Sequence, residues 1–358
     1  MADHGSGLRR DDGHLGHAPV SDRPGGHPCC RPPAALLLLA GARSRPWPTT
    51  GGPDRDFTIE DPRVTESSGL AASRAHPGVY WTHNDSDDGP YVFAVDSRTG
   101  KTLATITMRG VGEPRDVEAI SIGPEGDIYV GDIGDNLDGT WSHVWIYRFP
   151  EPKQLRDATV DAVQYDVKYA DGARNAEALM VHPKTGRVYI ASKNEDGGGL
   201  YEGPAKLTAG AVNTFRRVDE VPWVTDGAFS PDGKRLVLRS YFSAREYAFE
   251  NGRLGEDRSV AAPFQRQAES VTYTADGSAL MFGSEGARSD VVRVEVAGGG
   301  SGGDQDRAKP SGSGGAGGEA GDQGDGGGED GGKGGAGLGA AIVVGAGLLW
   351  FALRRKRG

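Results

Sequence analysis

The sequence predicts an all-β fold, a β-propeller of five blades, and three observations carry that reading. A short motif recurs five times. Its copies are SSGLAASRAHPG from Ser67, VEAISIGPEG from Val117, AEALMVHPKTG from Ala176, TDGAFSPDG from Thr225 and AESVTYTADG from Ala268. Their second residues, Ser68, Glu118, Glu177, Asp226 and Glu269, are spaced by 50, 59, 49 and 43 residues. Strand-like runs of alternating apolar and β-branched residues fill each interval, and four strands per repeat of this length is the pattern of a propeller blade. The last copy ends one strand short, while Phe57-Thr58-Ile59 stands spare ahead of the first. Closure of the ring by that N-terminal strand leaves no open edge. A sixth blade would have to come from the long second repeat, whose extra residues read as loop and one long strand.

Each repeat is justified in turn. The motif itself is the first strand and ends in a Gly-containing turn. A second strand follows: VYWTH, DIYVGD, RVYIASK, RLVLRSY and ALMFGS. After a polar loop comes a third: YVFAVD, HVWIYRF, GGLYEG, REYAFEN and DVVRVEV. TLATITM, DAVQYDVKY, TFRRVDEV and SVAAPF read as the fourth strands of the first four repeats. The propeller therefore runs over 57–297.

The ends predict an address. Residues 334–353 carry no charge, and at 1.5 Å per residue they span about 30 Å, the thickness of a bilayer core. Trp350 sits near one end, and Arg354, Arg355, Lys356 and Arg357 follow, so 354–358 is expected as a basic cytoplasmic tail. At the other end AALLLLAGA, Ala34 to Ala42, resembles a short signal h-region with an A-x-A site, which makes 1–42 an N-terminal extension with a signal-like segment. Residues 43–56 read as a linker and the Gly-rich run 298–333 as a disordered one. The expectation is a single-pass protein of the cell membrane, its propeller outside and its C-terminus in the cytoplasm.

Composition excludes several classes. A net charge of −10 argues against a nucleic-acid partner, whose footprint is basic. The two cysteines, Cys29 and Cys30, are adjacent, which rules out a disulfide scaffold and a four-cysteine zinc site. Thr99-Gly100-Lys101-Thr102 joins two strands and is no phosphate loop, and Gly299 to Gly303 matches G-x-S-x-G only within the Gly-rich run.

Strand direction gathers chemistry at one place. First strands start, and second-to-third loops emerge, at the same mouth of the central channel. The candidate ligand or metal-binding residues there are Asp116, Glu118, Asp132, Asp135, Asn136, Glu177, Asp226 and Glu269. Asp85, Asp87, Glu195 and Glu285 belong to the same loops, with Lys193, Arg115 and Arg239 interleaved. Three readings stay open. Such carboxylates can brace neighbouring blades through backbone N–H groups, hold a hard cation such as Ca²⁺, or perform acid–base chemistry through a raised pKa. GDIGDN, Gly131 to Asn136, also reads as a tight Asx-type turn. Trp141, Trp223, Tyr241 and Phe242 fall in loops, where they line a ligand surface or cover the ring.

FSPDGKRLVL, Phe229 to Leu238, resembles the repeat of TolB-like and WD40-like propellers. GDIGDN, with IYRFPEP from Ile146 and HNDS from His83, resembles a family of exported bacterial propellers loosely grouped with phytase-like and esterase-like ones. The resemblance covers Phe57 to Ala297, implies the fold and transfers no catalytic residue. The function expected first is a membrane-tethered binding or scaffolding module for an extracellular protein or small-molecule ligand. The alternative is a metal-dependent, Ca²⁺-using hydrolase of phytase-like or lactonase-like type at the acidic mouth.

Overall fold

The structure, a computed structural model, describes residues 54–86, 88–136, 139–194 and 197–296. They form an all-β, propeller-like ring. The expected signal-like segment, Gly-rich linker, membrane-spanning segment and basic tail lie outside the described residues, as do Asp87 and Glu195. Among the described residues no helix is long and apolar enough to cross a membrane.

Strand β1 (Phe57–Thr58) precedes the first meander of β2 (Ser67–Ala72), β3 (Val79–Asn84), β4 (Tyr91–Asp96) and β5 (Thr102–Arg109). The second contains β6 (Val117–Ile122), β7 (Asp127–Asp132) and β8 (Val144–Pro150), then β9 (Ala158–Asp161) and β10 (Val163–Tyr169). The third is β11 (Ala176–Val181), β12 (Val188–Ser192), β13 (Gly198–Glu202) and β14 (Val212–Val221). The fourth is β15 (Asp226–Phe229), β16 (Arg235–Arg239), β17 (Ala244–Glu250) and β18 (Arg253–Val260). The chain ends in β19 (Ala268–Tyr273), β20 (Ala279–Ser284) and β21 (Asp290–Glu295).

The first strands β2, β6, β11, β15 and β19 stand side by side, and β19 returns to β2, so they close a ring. The core is not one mass. It is a set of apolar wedges, one between each sheet and the next. Trp81, Ala94 and Ile106 face Ile120, Val130 and Phe149 across the first wedge. Leu179 and Ile190 fill the second, Leu200 and Leu238 the third, and Val237 and Phe282 the fourth. Phe57, Ile59, Leu70, Phe93 and Met281 fill the wedge that closes the ring.

Closure is made by β1, which pairs antiparallel with β21 in the register Phe57↔Val291 and Thr58↔Asp290. Ile59 donates its N–H to the Ser289 carbonyl at 2.9 Å, and Glu60 donates to Gly100 at 2.8 Å. Gly100 sits at φ +66° against the Thr58 carbonyl, where a Cβ would collide with that oxygen. The Thr-Gly-Lys-Thr run is thus a hairpin turn pressed onto the closing strand.

Two expected strands come out differently. The run Asp161 to Tyr169 is not one strand. It breaks at buried Ala162, whose N–H bonds the Arg109 carbonyl, so β9 adds in parallel to β5 of the first sheet while β10 stays with β8. The extra length of the second repeat therefore extends an existing sheet. The fourth strand expected at SVAAPF lies earlier, at β18. Asn251 and Gly252, at φ 53° and 77°, form a two-residue hairpin that pairs Glu250 with Arg253. The strand ends at Val260, ahead of Pro263, which has no N–H to give the ladder.

Candidate functional site

The repeat motif delivers its second residue through a local defect. In β2/β3, β6/β7, β11/β12 and β19/β20 the register slips at the motif, leaving Glu118, Glu177 and Glu269 out of the ladder; Ser68 is skipped likewise. A bulge re-aims a side chain, and here it turns three glutamates off their sheets. The fourth copy has no bulge: Asp226 pairs directly with Arg239. Asp226 therefore braces the ring, accepting the N–H of Gly227 at 2.7 Å and of Val271, on the next sheet, at 2.8 Å.

A second tier comes from the residue just past each second strand. Asp85, Lys193 and Glu285 occupy this same repeat position and are fixed by backbone bonds to Glu66, Asn175 and Gln267. Sequence reasoning placed them in the mouth loops but not in the leading set. Their common offset from β3, β12 and β20 is the signal that singles them out.

The two tiers meet where the first sheet adjoins the second. One carboxylate oxygen each from Asp85, Asp116 and Glu118 lies within 4.8 Å of the others. The Asp85 and Asp116 carboxyls are within hydrogen-bonding reach of one another. Two ionised carboxylates cannot share such a position without a proton or a cation between them. Protein donors are few: Ser68 Oγ donates to Glu118 Oε2 at 3.0 Å, and Asn136 Nδ2 donates to Asp116 Oδ2 at 3.2 Å. Among the described residues Asp85 Oδ1 is buried with no hydrogen-bond partner. Gly134, in the GDIGDN turn, backs onto the pair; a Cβ there would stand 2.8 Å from Glu118 Oε1 and closer still to Asp116 Oδ2. The glycine keeps this cleft open.

Burial pushes the Asp116 carboxyl up to about 6; the hydrogen bond with Asp85 opposes the rise, and the charges of Glu177 and Asp132 add to it. Burial, then the surrounding negative charges, holds Asp85 and Glu118 well above the usual carboxylate range. Across the mouth Glu269 is pushed up to about 8 by burial, with Lys193 opposing and Glu177 and Glu285 reinforcing. Burial pushes Glu285 up to about 7. Lys193 donates to Glu177 Oε1 at 2.8 Å. Burial alone would lower the Lys193 pKa, but the charges of Glu177, Tyr241, Glu269 and Glu118 outweigh it and hold it well above the ordinary value.

The remaining expected residues are engaged elsewhere. Asp132 is fully buried and accepts from the Arg115 and Asp116 N–H groups at 3.1 and 3.0 Å and from the Tyr147 hydroxyl at 2.6 Å, so it shapes the loop behind Asp116. Asp135 accepts the Trp141 N–H at 2.6 Å and the Thr140 hydroxyl at 3.3 Å, closing its own turn. Asn136 turns its amide nitrogen to Asp116 and its oxygen to Asn175, which positions Asp116 and leaves the oxygen unavailable as a ligand. His83 lies in β3 with Nδ1 donating to the Asn84 carbonyl, and burial lowers its pKa to about 4, so its Nε2 is a bare lone pair packed under Gly69.

The sequence matches no family model and no curated relative, so the finer resemblance to TolB-like and GDIGDN-containing propellers has no support from either. Among solved structures, the chain is similar to the PQQ-bound aldose sugar dehydrogenase of Streptomyces coelicolor, at 11% identity and a TM-score of 0.39, over 68% of this chain and 99% of that one. It is similar also to a gluconolactonase of Xanthomonas campestris, at 15% identity and a TM-score of 0.42, over 67% of this chain and 79% of that one. A chain of the mitotic checkpoint complex matches at 14% identity and a TM-score of 0.35, over 63% of this chain and 60% of that one. At such scores these likenesses carry no residue role.

Proposed function

We propose that the chain is a five-bladed, membrane-tethered propeller facing the outside of the cell, whose channel mouth binds a divalent cation of Ca²⁺ type and serves as a cation-dependent hydrolase. The observation that carries this reading is the carboxylate trio Asp85, Asp116 and Glu118, drawn together with few donors and one orphaned oxygen. Oxygen-only ligands suit a hard cation, which takes six to eight of them and keeps water in the positions the protein leaves free. When bound, such an ion polarises an ester oxygen or acidifies a water.

The chain's own residues supply the rest. Asn136 and Ser68 orient Asp116 and Glu118 through the bonds described. Hydrolysis adds the water oxygen to the acyl or phosphoryl centre, passes that water's proton to an ionised mouth carboxylate and delivers another to the departing alkoxide. Glu269, with a pKa raised to about 8 by burial, still holds its proton at neutral pH and is the group suited to that delivery. The binding-module reading retains one support: Asp132, Asp135 and Asp226 are wholly taken up in holding loops and neighbouring sheets.

The test is turnover by the full chain of 4-nitrophenyl esters, a lactone and 4-nitrophenyl phosphate, with Ca²⁺ or with chelator. Hydrolysis that chelator abolishes and Ca²⁺ restores supports the hydrolase, and Glu269→Gln is expected to lower kcat by about 10²–10⁴-fold. Cation binding with no turnover of any of these substrates would favour the binding module.

A further inference from the structure

Behind the carboxylate trio lies a stack of side chains that touches none of its oxygens. Arg115 immediately precedes Asp116, on the segment that enters β6. Its guanidinium lies between two indoles, with Cζ 4.0 Å from the Trp141 ring centre and 3.7 Å from that of Trp145. The same group donates through Nη2 to the His143 carbonyl at 3.1 Å. Arg115 Nε is buried, and among the described residues it has no hydrogen-bond partner. One hydrogen bond does not fix so large a cation; the two π faces that cover it do.

The two walls of the stack come from different pieces of the site. Trp145 stands in β8, opposite Asp132 of β7 and Asp166 of β10, so the sheet fixes it. Trp141 stands in the β7–β8 connection, with its N–H bonded to Asp135. Asn136, which orients Asp116, and Gly134, which backs onto it, belong to that same connection. Arg115 thus fastens the segment that carries Asp116 to the connection that shapes its surroundings. Backbone bonds add a second fastening. The Arg115 and Asp116 N–H groups both reach the Asp132 carboxylate, and Gly134 donates its N–H to the Asp116 carbonyl at 3.1 Å. These bonds place the Asp116 main chain, and the stack holds the connection against it.

We infer that Arg115, Trp141 and Trp145 form a clamp that presets the cation site, with Arg115 a positioning residue for Asp116. This rests on the cation reading above. Lysine cannot replace the stack, because an ammonium has no planar face to lie between two indoles. The test is a calorimetric titration of Ca²⁺ into the full chain, in the wild type and in Arg115→Lys, Trp141→Leu and Trp141→Phe. It is made well below the cation-free melting temperature of each protein, so that only folded chain is titrated. Arg115→Lys and Trp141→Leu should bind Ca²⁺ about 10–100-fold more weakly, the usual effect of losing a group that orients a metal ligand. Trp141→Phe keeps an aromatic face for the guanidinium and should recover most of the wild-type affinity. A stack that only braces the fold would lower the melting temperature and leave the affinity alone. Wild-type affinity in Arg115→Lys or Trp141→Leu, or an equal loss in Trp141→Phe and Trp141→Leu, overturns the clamp. Should Arg115→Lys fail to fold, the Trp141 pair decides. A wild type that binds no Ca²⁺ is a separate result, which overturns the cation reading and the clamp with it.

Discussion

Replacing Ile59 by Ala should destabilise the propeller by about 2–5 kcal/mol, the range for truncating a fully buried aliphatic side chain. Ile59 has no solvent exposure, and it shares the closing wedge with Phe57, Leu70, Tyr80, Phe93, Met281 and Val291. These residues come from both ends of the ring, so the cavity falls on the one seam that no continuous chain crosses. Deleting residues 54–60 should do more. It removes β1 and the Thr58–Asp290 side-chain bond, and it leaves β21 as an unpaired edge. Equilibrium urea unfolding of Ile59→Ala measures the first effect, and light scattering of the deletion at its midpoint measures the second. Unchanged midpoints in both would mean that the seam is not where stability is decided.

The second large effect is an unusual pH dependence of the cation-free protein. Burial raises Asp116 to about 6, Glu285 to about 7 and Glu269 to about 8, and it holds Asp85 and Glu118 well above the carboxylate range. In the unfolded chain these groups ionise near pH 4. Above that the native state carries more protons than the unfolded one, so stability falls as pH rises through the folded pKa values. Each group still protonated in the native state removes about 1.4 kcal/mol per pH unit. His83 acts in the opposite sense, since its folded pKa is lowered to about 4 by burial, but its contribution is complete above roughly pH 6.5. Lys193, held well above its ordinary value, stays charged throughout. Between pH 6.5 and 8 the carboxylates alone titrate, and the cation-free melting temperature should drop by several degrees, at about 2–4 °C per kcal/mol for a domain of this size. Saturating Ca²⁺ should flatten or reverse the slope, because the ion takes the ionised form. A cation-free melting temperature that rises across this interval would contradict the burial of these groups.

The fold was legible because its repeat is written in side chains. The Ser68, Glu118, Glu177, Asp226 and Glu269 spacing marks the inner strands, and the missing fourth strand of the last repeat points to Phe57 as its substitute. β18 was missed because it is an exposed polar edge, RLGEDRSV, with no apolar alternation to show it, although Asn251-Gly252 announces a hairpin. β9 was merged with β10 because the break at Ala162 depends on a bond to Arg109, far away in sequence. At the site, residue type could not separate the roles. Glu118 and Asp226 stand at the same motif position, yet a bulge turns one into the mouth and regular pairing with Arg239 keeps the other in the ladder. Likewise Asp132 ends the second strand β7 and Asp85 comes just past the second strand β3, but three donors converge only on Asp132. Such distinctions lie in register and in the reach of neighbouring sheets.

The most direct measurement of the central claim is a Ca²⁺ titration against thermal unfolding at pH 7.5, in the wild type and in Asp116→Asn, Glu118→Gln and Asp322→Asn, the last lying in the Gly-rich run. A divalent cation at the mouth predicts a saturating stabilisation of the wild type, about 2.7 kcal/mol when Ca²⁺ is at 100 times its dissociation constant. That shift should vanish in Asp116→Asn and Glu118→Gln and persist in Asp322→Asn. No shift of the wild type at millimolar Ca²⁺, or an equal shift in all four proteins, would contradict it.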